Sequence, residues 1–127
     1  MVKKKEHKHD TIFFSRYSSY KEGVNMELIK QLAEQMEDEI CDSKHYAKWA
    51  VEVKDKYPEL AETLYTISLQ EEKHRQMLHD ATEKIISGLK QKNVSISSDM
   101  LAIYDYLHKR QIKERENALR YQELYKK

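Results

Sequence analysis

Three residues of this chain, Glu39, Glu71 and His74, are of metal-binding types and fall where the sequence pattern calls for apolar core. Reading from Leu60 in steps of three and four gives Leu60, Leu64, Ile67, Glu71, His74, Leu78, Ala81, Ile85 and Leu89. That is the stripe of an amphipathic helix, with two polar residues in its middle. The same walk upstream gives Ile29, Leu32, Met36, Glu39, Ser43, Tyr46, Ala50 and Val53, again with a glutamate mid-stripe. A carboxylate or imidazole buried alone costs on the order of several kcal/mol unless it is paired or bound to a cation. Two carboxylates and one imidazole suit iron or manganese better than structural zinc, which prefers thiolate and histidine. One such set is half of a two-metal site. Two sets related by a two-fold axis between chains would bring four carboxylate charges against two divalent cations, neutral only when both metals are bound.

The elements that must position these residues are helices. The 127 residues include only 2 Gly and 1 Pro, with 39% hydrophobic and 35% charged, a composition for one domain of long helices and little turn material. The first helix is expected from Asn25, a good N-cap, to about Lys54, where Asp55 and Tyr57-Pro58 break it. The second is expected from Pro58 to Ser87, with Gly88 as a left-handed C-terminal cap, and the third from Ser97 or Ser98 onward. A short turn makes the first two antiparallel neighbours. Glu39 lies about 18 residues before Tyr57, and Glu71 and His74 about 14 and 17 after it, so all three fall at similar height and can converge in the core. Helices of about 30 residues are roughly 45 Å long, and three of them make an incomplete bundle. The expected fold is therefore all-α, an antiparallel hairpin plus a third helix, with a four-helix bundle completed by dimerisation. Residues 1–24 read as a separate arm, basic at first and then carrying Ile12, Phe13, Phe14, Tyr17 and Tyr20, and 25–127 as the helical domain.

Charge and hydropathy narrow the partners. With 23 basic and 22 acidic residues the formal charge is +1, which gives no overall field for a polyanion, so nucleic acid is not an expected partner. Mean hydropathy is −0.91. There is no 18-residue apolar run, no apolar signal core follows the basic start, and Cys41 is the one cysteine. These features predict a cytoplasmic chain with no membrane partner.

Glu39, followed by Glu71-Glu72-Lys73-His74 as a Glu-x-x-His, resembles the first half of the ferritin and rubrerythrin pattern of Glu, Glu-x-x-His, Glu, Glu-x-x-His. The resemblance is closest to the encapsulated-ferritin type, over about residues 30 to 88, where Tyr46 and the Pro58-Glu59-Leu60 turn also resemble that two-helix hairpin. It implies a ferritin-like homodimer or larger ring with a di-iron centre built from Glu39, Glu71 and His74 of two subunits. Manganese or zinc are the substitutes. The activity implied is ferroxidase-like, ferrous iron being oxidised by oxygen or peroxide.

Other readings of the same residues remain open. Buried Glu and His can form a metal-free polar layer that fixes register, as a buried asparagine does in coiled coils, in a helical assembly protein whose arm and third helix bind neighbours. Asp105-x-x-His108 is a rival ligand pair if the stripe Leu101, Asp105, His108, Ile112 faces inward, rather than Met100, Tyr104, Leu107, Gln111, Glu114, Ala118, Tyr121, Tyr125. Glu6-x-x-His9 fits the motif by letter but lacks an apolar frame. Tyr46 is a core residue or a donor to a metal-bound carboxylate. Asp38, Asp42 and His45 form a solvated face or guide cations inward. Cys41 is expected to be a packed, inert thiol. Beyond Ile112 the third helix is mostly charged and is expected to protrude or to meet another subunit.

Overall fold

The computed structural model describes residues 21–92 and 97–127, with side chains from Met26 onward. It contains three helices, α1 (Lys21–Val53), α2 (Pro58–Gln91) and α3 (Ser98–Lys126), and no strand among the described residues. Also among the described residues, no helix is long and apolar enough to cross a membrane. The all-α architecture follows from the scarcity of helix breakers. Most of the arm, residues 1–20 with Glu6 and His9, lies outside the described residues.

The helix ends follow local chemistry, with two departures. At the α1–α2 turn the Tyr57 N–H donates to Val53 O at 2.7 Å, and Pro58, which has no N–H to satisfy, opens α2. Ser97 caps α3, its hydroxyl oxygen accepting from the Met100 N–H at 3.1 Å. However, α1 begins at Lys21 rather than at Asn25, so the asparagine lies inside the helix and is not its cap. Helix α2 likewise runs through Gly88 to Gln91, and the last turn closes with Lys92 N–H on Gly88 O at 3.1 Å. Gly88 is an ordinary helical residue, not a left-handed cap.

Helix α1 is the central element. It packs closely along both other helices, whereas those two meet through their longer side chains. The two ends of the molecule are apolar: Ile29, Ile86 and Met100 with Met26, Leu89 and Tyr104 at one end, and Ala50, Ala61 and Leu64 with Tyr46, Val53, Tyr65 and Tyr125 beside the turn. Between them, buried Met36, Ile40 and Ala47 flank a polar layer. Ser43 Oγ donates to Ser68 O at 2.9 Å and Ser68 Oγ to Ser43 O at 2.7 Å, while Gln122 Nε2 reaches Ser68 Oγ at 2.9 Å. Gln111 Nε2 donates to Ala33 O at 2.8 Å, tying α3 to α1.

The α1 stripe lies where expected, with Ile29, Met36, Glu39, Ser43 and Ala50 buried. The α2 stripe does not. Its buried line is Ala61, Leu64, Ser68, Arg75, Thr82 and Ile86, while Leu60, His74 and Ala81 are exposed. The cause is packing distance: small Ala61, Ser68 and Thr82 let α2 approach α1 closely, which turns the more apolar stripe toward the open side of the hairpin, away from α3. In α3 the inner stripe runs through Met100, Gln111, Ala118 and Gln122, and Asp105 points outward to pair with Lys109 at 3.0 Å. The charged end of α3 does not protrude. Buried Ala118 and Gln122 hold it against α1 and α2, Tyr125 stacks on Tyr65 with centroids 4.5 Å apart, and Lys54 Nζ donates to Tyr125 O.

Gly88 offers open space, with nothing within 4 Å of an added Cβ. Gly88→Ala is expected to stabilise the chain by about 0.5–1 kcal/mol, because glycine loses more backbone freedom in a helix. Ser97→Ala, which removes the α3 cap, is expected to cost about 1 kcal/mol. Urea denaturation midpoints with unchanged slopes check both.

Candidate metal centre

Glu39 on α1 and Glu71 and His74 on α2 meet on the open side of the hairpin, each offering a ligand atom within 4.8 Å of the others. The mutual Ser43–Ser68 hydrogen bonds put those two residues at one level. Because α1 and α2 run antiparallel, Glu39, one turn before Ser43, then comes level with Glu71 and Glu72, one turn after Ser68. His74 follows Glu71 by three residues and shares its flank of α2.

The geometry could hold a cation. His74 Nδ1 lies 2.9 Å from Glu71 Oε1 and 3.3 Å from Glu39 Oε2. A single N–H serves one acceptor well, so the shorter contact is the hydrogen bond, and Glu39 Oε2, which has no access to water, is left without a hydrogen-bond partner. Two carboxylates face at most one imidazolium, so the trio carries excess negative charge. Burial and then the neighbouring Glu39 carboxylate push the Glu71 carboxyl above the usual carboxylate range, with Asp42 adding to the effect and His74 opposing it. Hard oxygen donors with one nitrogen and an orphaned buried oxygen fit a divalent ion such as iron or manganese.

The dry interior expected for this trio is only partly present. The side chains of Glu39, Glu71 and His74 are 9%, 17% and 57% exposed, so the site opens from a buried floor to a wet rim. The rotation of α2 described above is the reason: Ser68 and Arg75 take the inward line, and His74 is carried outward.

The other candidates separate from the trio. Among the described residues it is the one group of three or more such side chains placed to hold a metal. Asp105 is engaged by Lys109, and His108 stacks on His79 and Tyr104 with centroids 5.4 and 6.1 Å away, so that pair makes no ligand set. Tyr46 packs in the apolar cluster by the turn and beside the rings of His45 and Trp49. Asp42 lies near enough for its charge to act on Glu71, whereas His45 is exposed. Cys41 is exposed rather than packed. Partial desolvation and the neighbouring Glu37 carboxylate raise its pKa, which disfavours the thiolate.

Sequence reasoning missed two groups. Arg75 is buried, its guanidinium donating to both oxygens of Glu72 at 3.2 Å and to Gln76 Oε1 at 2.7 Å, while Arg115 donates to Glu72 at 2.8 Å. Gln35 Nε2 donates to Glu39 Oε1 at 2.9 Å. For the first group a signal exists: Ala61, Ser68, Arg75 and Thr82 recur every seven residues, the spacing of a helix contact line. For Gln35 the signal is its place one turn before a candidate ligand.

No protein family, curated protein or solved structure matches this chain.

The folded state binds the Glu71 proton more tightly than the unfolded chain does. Without metal, this group's contribution to stability is therefore full below the ordinary carboxylate pKa and is lost as pH rises through the raised one. Metal-free Glu71→Gln is expected to melt above the wild type at pH 7, with the gap closing as the pH falls below the ordinary carboxylate range. Thermal unfolding followed by circular dichroism across that range checks it.

Proposed function

We propose that this chain is a ferritin-like iron-binding protein that oxidises ferrous iron at a carboxylate centre shared by two copies of the chain. The observation that carries this reading is the buried Glu39 Oε2, without a hydrogen-bond partner and within ligand reach of Glu71 and His74. The open side of the hairpin supports the pairing. Leu60, Ile67, Leu78 and Ile85, on the stripe of α2 that carries Glu71 and His74, stay half-buried to exposed. A second copy on the same face would cover them, bury His74 and bring a second trio opposite the first, completing a four-helix bundle.

Ferrous iron is the substrate. Two ferrous ions give up one electron each. Dioxygen takes both electrons with two protons and leaves as hydrogen peroxide, or peroxide takes them with two protons and gives two waters. The chain's own part is electrostatic: Glu39 and Glu71 present anionic oxygens that favour the ferric over the ferrous charge, and His74 adds a neutral nitrogen donor.

A second reading is favoured by one contact. His74 Nδ1 already lies between the two carboxylates, as it would in a metal-free polar layer of a helical assembly protein. Anaerobic titration with ferrous iron followed by exposure to air separates the two. The iron reading expects saturable binding near one iron per chain and oxidation faster than that of free iron, with Glu71→Ala abolishing the acceleration. Absence of saturable binding, or an unchanged rate in Glu71→Ala, overturns it. The assembly reading expects size-exclusion chromatography to show that removal of residues 1–24 dissociates the oligomer while Glu71→Ala leaves it whole.

A further inference from the structure

We infer that Gln35 is a positioning residue of the metal centre, holding Glu39 so that one carboxylate oxygen alone is offered to the cation. The inference rests on the iron-binding reading above and names a residue outside its ligand trio. Glu39 has two carboxylate oxygens, and they differ. Oε1 accepts from the Gln35 amide at 2.9 Å; Oε2 is buried, has no hydrogen-bond partner and lies 3.3 Å from His74 Nδ1.

The amide orientation is fixed by chemistry: an ionised carboxylate only accepts, so the amide nitrogen of Gln35 must face it. Gln35 and Glu39 are four residues apart on α1, the spacing at which side chains of one helix meet. The pair therefore needs only the helical α1 to come within reach, with no cation or second copy required. A carboxylate with both oxygens free can bind a cation through either or through both. One held at Oε1 binds through Oε2, toward Glu71 and His74. Such hydrogen bonds to ligating carboxylates orient the ligand and typically account for 10- to 100-fold in metal affinity.

Cobalt(II) is the probe, because its visible absorption band reports the coordination around it and air does not readily oxidise it at such sites. Four chains are compared with the full-length wild type: Gln35→Met, close in shape but without the donor; Gln35→Asn, whose shorter side chain withdraws the donor; Glu39→Ala; and Glu71→Ala. Circular dichroism confirms which are helical. The two Gln35 variants provide the same test, so either one that folds suffices. The expected result is cobalt affinity at least about tenfold weaker in Gln35→Met and Gln35→Asn, with a shifted visible band as Glu39 changes its mode of binding. A residue that merely supported the fold would leave the band in place. If Glu39→Ala and Glu71→Ala lose cobalt while both Gln35 variants bind it with wild-type affinity and band, the positioning role is overturned and the metal centre stands. If wild type binds no cobalt, or the two alanine variants bind as wild type does, the metal centre fails and the role of Gln35 fails with it.

Discussion

The register of α1 against α2 is the constraint on which the rest of the molecule depends, and two serines set it. Ser43 and Ser68 donate to each other's backbone carbonyl at 2.9 and 2.7 Å, an exchange that works at one alignment of the helices. A slip of one turn moves the partners about 5 Å apart and breaks both bonds, at about 0.5–1.5 kcal/mol each. The same slip separates Glu39 from Glu71 and His74. Gln122 completes the layer from α3, reaching Ser68 at 2.9 Å and Ser43 at 3.3 Å, so the third helix is anchored to the contact that fixes the site. The apolar clusters at the two ends supply the burial that drives association, but they would tolerate sliding better than this hydrogen-bonded middle does.

How much of this was legible in the sequence differs by element. The turn at Tyr57-Pro58 and the Ser97 cap are local chemistry, and the structure follows it. The convergence of Glu39, Glu71 and His74 depends on counting residues from a tight turn, which survives small errors in helix ends because all positions shift together. The rotation of α2 about its own axis was not legible from hydrophobicity alone. Helix α2 carries two stripes, a more apolar one through Leu60, Ile67 and Leu78 and one of small and polar residues through Ala61, Ser68, Arg75 and Thr82. Hydrophobic counting selects the first, whereas close approach to α1 selects the second. The exposure of His74 follows from that difference. The docking of the α3 end was missed for a similar reason: its contacts are a stacked tyrosine, an alanine and a glutamine among charges, and the charges face water.

The two flanks of α2 treat buried charge in opposite ways, and the contrast bears on what the chain is for. On the flank facing α3, Glu72 accepts from both Arg75 and Arg115, and the guanidinium of buried Arg75 is further satisfied by Gln76. Two guanidinium groups meet one carboxylate there, so both oxygens of Glu72 are used. On the open flank, one turn or less away, Glu39 and Glu71 share a single imidazole, Asp42 adds its charge, and one buried oxygen is left unmatched. With 23 basic residues available, the imbalance is not forced by composition. A single arginine in place of His74 would neutralise the pair more fully, donating to both carboxylates where the imidazole reaches one well. Histidine instead leaves two carboxylate oxygens and a ring nitrogen able to bind a cation once its proton is displaced. On the flank facing α3 each Glu72 oxygen has a donor, while on the outward flank a Glu39 oxygen has none, and on the iron-binding reading that unmatched oxygen is the functional feature of the hairpin.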